Sequence, residues 1–216
     1  PYDPVKDFEL VSLVGLAPMA LLVPPGQPST LKELIAKLRA EPGKWSYPSS
    51  GNGTTNHLAG ELFKKRTGVD VLHVPYRGTG PALQDLLAGR HAFIFATLGP
   101  VRENIKAGQL VPVALMADKR SSVMPDIPTT AEAGLPDFVG GTWNVVAAPA
   151  GTARTIVDRL NASVNKALVD PVLSERLKAL NMETSDAPSP ASTKAFVEAE
   201  IVKWRDVVEI AGANVD

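Results

Sequence analysis

Short apolar runs alternate along this chain with stretches whose apolar residues recur at helical spacing. The runs predict strands over 8–14, 19–23, 69–74, 92–96, 111–116 and 143–147, each rich in β-branched, aromatic or leucine residues. Between and after them, the 3.6-residue period predicts helices over 31–40, 55–66, 81–88, 101–107, 153–168, 171–180 and 192–210. Gly68, Gly89 and Gly108 stand just past three of these helices, where a left-handed cap closes the last turn. Repeated strand–helix–glycine–strand units predict an α/β fold whose mostly parallel sheet is covered by helices on both faces.

Two places break this rhythm. Gly15 to Ala17 separates two strand-like runs with no helix between them, and 125–141 is rich in proline and glycine around one short helix. They bracket a self-sufficient α/β lobe of residues 17–138. The flanks, 1–16 and 139–216, come together as the remainder of a second lobe. A chain that leaves one lobe, builds another and returns has the layout of a hinged, two-lobed binder. In the flanks, Phe196, Val197, Ile201, Trp204, Val208 and Ile210 form an apolar face that needs a sheet beneath it. Only 8–14 and 143–147 offer strands there, so the second lobe reads as incomplete. An exchanged element or a dimer is the expected cover, or else a lobe that packs abnormally on residues 17–138.

Composition removes several classes of function. The 216 residues are 44% hydrophobic and 21% charged, values of an ordinary globular chain. Lys and Arg number 22 against 23 Asp and Glu, so nothing in the charge points to nucleic acid or an anionic membrane. The apolar run 16–25 is too short to span a bilayer. With no cysteine there are no disulfides or thiolate metal sites. His73 and His91 have no metal spacing to each other or to His57, and neither a metal nor a cofactor is expected. The chain opens on Pro1, which reads as a processed or truncated product, so a missing leader says nothing of location.

The most informative stretch is Tyr47-Pro48-Ser49-Ser50-Gly51-Asn52-Gly53-Thr54-Thr55-Asn56-His57-Leu58, a small, hydroxyl-rich turn running into a helix. Thr30-x-x-Glu33 and Thr129-x-x-Glu132 begin as capping boxes, in which a glutamate satisfies an orphan backbone donor. At Thr54 the corresponding position is His57, and no carboxylate occurs before Glu61. That helix start is open to an outside anion, with the positive end of the dipole behind it. Ordinary capping turns share this composition. The string is neither the dinucleotide fingerprint, having Asn56 for the third glycine, nor a P-loop. His57, one turn into the helix, either orients the anion or packs and hydrogen-bonds locally, the simpler role.

A second loop, Val74-Pro75-Tyr76-Arg77-Gly78-Thr79-Gly80, leaves the carboxyl end of a strand, where open α/β sheets bind ligands. Tyr76 offers a ring wall and a hydroxyl, and Arg77 a positive charge. A half-buried tyrosine and a solvated arginine are the bland alternative. Trp143-Asn144 lies after the chain crosses back. A strand tryptophan is usually core, which leaves Asn144 to close a cleft from the other lobe.

In this order the chain resembles the substrate-binding proteins of tripartite tricarboxylate transporters, the Bug family. The matching stretches are Tyr2-Asp3-Pro4-x-x-Asp7-Phe8, Ser50-Gly51-Asn52-Gly53-Thr54-x-x-His57-Leu58, Val74-Pro75-Tyr76-Arg77-Gly78, Ile105-Lys106-Ala107-Gly108, Asp126-Ile127-Pro128-Thr129-x-x-Glu132-Ala133-Gly134 and Ala148-Pro149-Ala150-Gly151-Thr152. As a set they are specific and cover nearly the whole chain. The resemblance implies a periplasmic receptor of the two-lobed, type II periplasmic-binding-protein architecture. It would bind small carboxylates without catalysis and deliver them to the membrane components of a transporter. It also implies that Ser49, Ser50, Gly51, Asn52, Gly53, Thr54 and Thr55 hold the ligand carboxylate. Tyr76, Arg77 and Gly78 would stand beside them, and Thr97 would offer a polar group from the next such loop. Family members carry a further N-terminal segment with a loop that makes half the carboxylate contacts. No stretch of these residues matches it, in agreement with the thin second sheet. The competing reading is an α/β enzyme acting on a carboxylated or phosphorylated metabolite. Against it, Gly-x-Ser-x-Gly, His-Glu-x-x-His and any clear nucleophile–base pair are absent.

Overall fold

A computed structural model describes residues 2–213. The elements run β1 (Phe8–Val23), α1 (Leu31–Ala40), β2 (Trp45–Ser49), α2 (Thr55–Thr67), β3 (Val71–Pro75), α3 (Thr79–Leu87), β4 (Ile94–Thr97), α4 (Leu98–Lys106), β5 (Val111–Leu115), β6 (Gly141–Pro149), α5 (Arg154–Leu168), α6 (Pro171–Ala179) and α7 (Pro190–Ile210). Two compact units result. One is made by residues up to Ala17 with Thr142–Arg205, the other by Pro18–Gly141 with the described residues from Asp206 on.

The larger unit is built by alternation. On β1, Met19, Leu21 and Val23 turn to one face and pack with Leu31, Leu34 and Leu38 of α1 and Ala59 and Phe63 of α2. Ala20 and Leu22 turn to the opposite face, against Ala82 and Leu86 of α3 and Leu98 and Val101 of α4. The period of two along a strand buries both faces of a wholly apolar run in this way. The first face is the more aromatic. Phe63 stands edge-on to Phe93, Phe95 and Phe138 with ring centroids 5.4, 5.8 and 6.1 Å away. At Gly60 of α2 a Cβ would fall inside the Tyr47 ring, so only glycine lets that helix lie on β2.

The sheet departs from the parallel arrangement the sequence predicts. β1 lies between β4 and β5 and runs antiparallel to both, pairing Met19 with Thr97 and Val23 with Val111. β4 and β5 are therefore parallel to each other, and α4 makes the crossover past β1. The strand that opens the unit arrives from a flank with no helix before it, so the parallel βαβ rule does not bind it. Of the remaining strands, β6 also pairs with β1, while β2 and β3 form a separate parallel pair.

Three sequence readings are corrected. Gly15 does not break the first strand: β1 continues through it for 16 residues. A Cβ there would lie 2.8 Å from Glu183 O, whose residue exchanges two backbone hydrogen bonds with Leu16. Glycine marks a close backbone approach. Second, residues 45–49 are a strand and not the start of a turn. Pro48 is tolerated because the Ser46 carbonyl, two residues earlier on the same edge, points away from β3 to accept from Ala92. Third, Thr129 and Glu132 do form a reciprocal capping box, at 2.7 and 3.1 Å. It closes one turn and no α-helix, because Gly134 follows at a left-handed φ of 95°.

The smaller unit has a thin interior. Val11, Ala148 and Val157 are its buried cluster. Polar groups do much of the tying: Asn161 donates to the Val11 carbonyl at 2.8 Å, and the Leu13 N–H donates to the Thr193 hydroxyl at 3.0 Å. Ile156 and Leu160 on α5 are 52% and 39% exposed. Trp143, half-buried, packs edge-on against Phe196 at 5.7 Å.

Candidate functional site

The turn between β2 and α2 spends its own acceptors internally. Asn56 Oδ1 accepts from the Ser50 N–H at 3.3 Å and the Ser50 hydroxyl at 3.0 Å. The Thr54 hydroxyl lies 2.6 Å from both that oxygen and the Gly51 carbonyl. Thr54 holds the N-cap position, with φ −74° and ψ 159°, yet its side chain makes no cap bond, and no acid stands in the first turn. Among the described residues nothing accepts from the first-turn N–H groups of Thr55, Asn56 and His57. By contrast, Thr30 accepts from the Glu33 N–H and closes α1. Three aligned donors and a helix dipole of 13 residues converge where an anion is favoured.

The second predicted loop is stitched to the first. The Tyr76 N–H donates to Ser49 O at 3.0 Å and the Gly78 N–H to Ser50 O at 3.1 Å. Gly78 has φ 111°, open only to glycine at little cost, and it precedes α3, which also begins without a side-chain cap or acid. Ser49, Ser50, Gly51, Thr54, Tyr76 and Gly78 are thus brought together, with Asn52, Gly53 and Thr55 on the same turn. The Tyr76 hydroxyl is committed elsewhere. It donates to Asp85 Oδ2 at 2.6 Å and lies 2.8 Å from His91 Nε2. That bond holds the Asp85 carboxyl below its usual range and raises the tyrosine. With its N–H given to Ser49 and its hydroxyl to Asp85, only the ring of Tyr76 remains to face an anion. Arg77 is exposed. Thr97 ends β4 and caps the start of α4 without a side-chain bond. Asn144 is exposed on β6 in the smaller unit.

Beneath the turn lies a polar cluster that sequence reading missed. His57 Nδ1 accepts from the Gly53 N–H at 3.1 Å. Its ring stacks on His73 at 3.9 Å between centroids and 17° between planes. His73 Nε2 lies 2.6 Å from Ser49 Oγ, which both accepts from and donates to the Gly51 backbone at 3.1 Å. Tyr47 follows in the stack at 5.1 Å from His73, and its hydroxyl donates to Glu61 at 2.8 Å. Glu61 is paired with Lys64 at 2.9 Å. Burial lowers both histidines from their ordinary value of 6.5, His73 to about 4 with the help of His57. His57 thus hydrogen-bonds and packs locally through its ring. The available sequence signal was the spacing of His57 and Glu61 on one helix face. The β2–β3 register, which pairs Tyr47 with His73, could not be read in advance.

This fold, with an open helix start at the end of a strand, is that of periplasmic binding proteins. The structure of the periplasmic binding protein BugD superposes with a TM-score of 0.85 at 31% identity, covering 99% of this chain and 72% of that one. The chain matches the Tripartite tricarboxylate transporter family receptor over residues 1–213, and it belongs to that family. It is 37% identical to the protein BugT of Bordetella pertussis over 215 residues, 99% of this chain and 66% of that protein. A Rhodopseudomonas palustris protein solved with adipate matches at TM-score 0.87 and 36% identity, covering 98% and 71%. MatC of Rhodopseudomonas palustris, with bound malate, matches at 0.84 and 32%, covering 96% and 71%. The chain spans 62% and 66% of the length of two curated relatives that it matches at 38% and 37% identity.

Proposed function

We propose that these residues are the larger part of a periplasmic solute receptor. It binds a small organic dicarboxylate and hands it to the membrane components of a tripartite tricarboxylate-type transporter, with no catalysis. The observation that carries this reading is the unpartnered row of first-turn N–H groups at Thr55, Asn56 and His57. A carboxylate accepts from such a row without a counter-charge. Ser49 to Thr55 would cradle one carboxylate, with the Tyr76 ring and Gly78 beside it. Arg77 would attract anions from solution, and Thr97 would add a polar contact. The adipate and malate held by two relatives support ligands of this size and charge.

Thermal denaturation with a panel of C4 to C6 dicarboxylates at millimolar concentration tests the reading. A ligand raises the melting temperature by mass action and is recovered unchanged by mass spectrometry. No shift with any acid would overturn carboxylate binding, and conversion of an acid would replace the receptor by an enzyme.

A further inference from the structure

We propose that the stacked His57–His73 pair is the prop that holds the anion turn in its receptive shape, and that its protonation releases the turn. The proposal rests on the carboxylate-binding role of that turn, and it assigns positioning roles to both side chains: apart from the backbone N–H that His57 lends to the row of donors, the two imidazoles act on the ligand only through Gly53 and Ser49.

The geometry is specific. An imidazole accepts at Nδ1 only while that nitrogen carries no proton, so the 3.1 Å bond from the Gly53 N–H requires neutral His57 protonated at Nε2. Gly53, at φ 73°, sits two residues before the first turn of α2. Its orientation therefore sets the approach to the donors of Thr55 and Asn56. On the other side His73 fixes the Ser49 hydroxyl, which grips Gly51 at both its N–H and its carbonyl. Gly51, at φ 138°, cannot hold itself in that conformation by sterics. Two glycines give the turn its shape and freedom, and two histidines remove the freedom.

A second proton changes this at one atom. Protonated His57 carries N–H at Nδ1, which then faces the Gly53 N–H, donor against donor. The charge also falls 3.9 Å from the other imidazole. The groups facing the pair are Glu61 and Lys64 from α2, Tyr47 from β2 and Asp70 ahead of β3. Glu61 favours the charged form and Lys64 opposes it, while Tyr47 spends its hydroxyl on Glu61. A cleft of about 440 Å3, lined by His57, His73, Glu61, Lys64, Asp70 and Leu72, lets protons reach the rings. Ala211, which also lines it, brings no charge.

The test uses the full chain with His57→Asn, whose side-chain oxygen can take the place of Nδ1 and does not titrate, and His57→Leu, which offers no acceptor. Hydrogen exchange at the Gly53 amide, corrected for intrinsic rates, is followed from pH 8 to pH 5 beside the imidazole nitrogen shifts. Wild type should lose about tenfold in Gly53 protection, the worth of one hydrogen bond, as His57 titrates. His57→Asn should keep protection at every pH and His57→Leu should lack it throughout. Equal protection in the three proteins, or no change in wild type across the observed titration, would overturn the proposal. His73→Gln, which keeps a polar atom near Ser49, provides the same comparison at Gly51 should His57→Leu fail to fold. Calorimetry with the dicarboxylate that binds best should show the same order of affinities, and wild type should have a steeper acid limb than His57→Asn once the protonation of the ligand, common to all the proteins, is subtracted. If no dicarboxylate binds wild type, the receptor reading fails, while the exchange result still decides the role of the pair.

Discussion

The larger unit buries its strands on both faces and fills one of them with interlocked aromatic rings. In the smaller unit Val11, Ala148 and Val157 make the buried cluster, and Ile156 and Leu160 stay in solvent. The difference teaches where the binding turn draws its rigidity. Both site loops, β2, β3 and every histidine of the chain belong to the well-packed unit. A backbone anion site needs donors held in place before the ligand arrives, and aromatic packing behind α2 holds them. The smaller unit relies on side-chain hydrogen bonds to carbonyls, which stabilise less and open more readily.

Four measurements would break or sharpen this contrast. Phe63→Ala removes the ring shared by Phe93, Phe95 and Phe138 and should cost about 3–5 kcal/mol in denaturant unfolding. Val157→Ala should cost only about 1.5 kcal/mol, at roughly 0.8 kcal/mol per buried methylene. Equal losses would remove the asymmetry. Next comes the site itself. Thr54→Asp places a carboxylate on the N–H groups that await the ligand and should weaken dicarboxylate binding at least about tenfold by calorimetry, while capping α2. Unchanged affinity would dismiss the open helix start as the anion site.

The third measurement is acid sensitivity. His73, lowered to about 4, binds its proton less readily than in the unfolded chain, where the value is near 6.5. Between those values the unfolded state takes up more protons, so stability falls as pH drops from about 6.5 to 4 and is insensitive to His73 above that window. His57 and His91 are lowered in the same direction. Melting curves should therefore show acid loosening in the better-packed unit, and His73→Gln should flatten the slope. Smallest is Ile156→Lys, which should change unfolding free energy by no more than about 0.5 kcal/mol, as exposed positions do. A larger loss, with a fall in mass by light scattering, would mean that a second copy of the chain covers Ile156.

What sequence reading recovered follows from where the determining forces are local. The ends of α2, α3 and α4 were legible because Gly68, Gly89 and Gly108 take left-handed conformations of 66°, 75° and 68°. The open start of α2 was legible because a missing carboxylate is visible at a fixed offset from Thr54. β2 was not, since Pro48 and the following Ser-Ser-Gly read as a turn. Only the pairing with β3, and an opposite edge that takes just the Ala92 N–H at Ser46 and asks no donor of Pro48, make it a strand. The direction of β1 was hidden for the same reason, as antiparallel pairing at both edges is a long-range choice. The support of the turn was the least legible part. His73 and Ser49 lie far apart in sequence, and nothing local joins them.

Gly60 has a consequence for any survey of variants of this chain. It lies five residues after the start of α2, roughly 8 Å along the axis at 1.5 Å per residue, and it touches no part of the proposed ligand site. Yet a single added methyl group would collide with Tyr47, whose hydroxyl also reaches the His57 carbonyl at 3.3 Å. The helix would have to slide or tilt, and its first-turn donors would move with it. Variants at this position would then score with those of the proposed binding residues, although their lesion is one of fit between a helix and the strand beneath it.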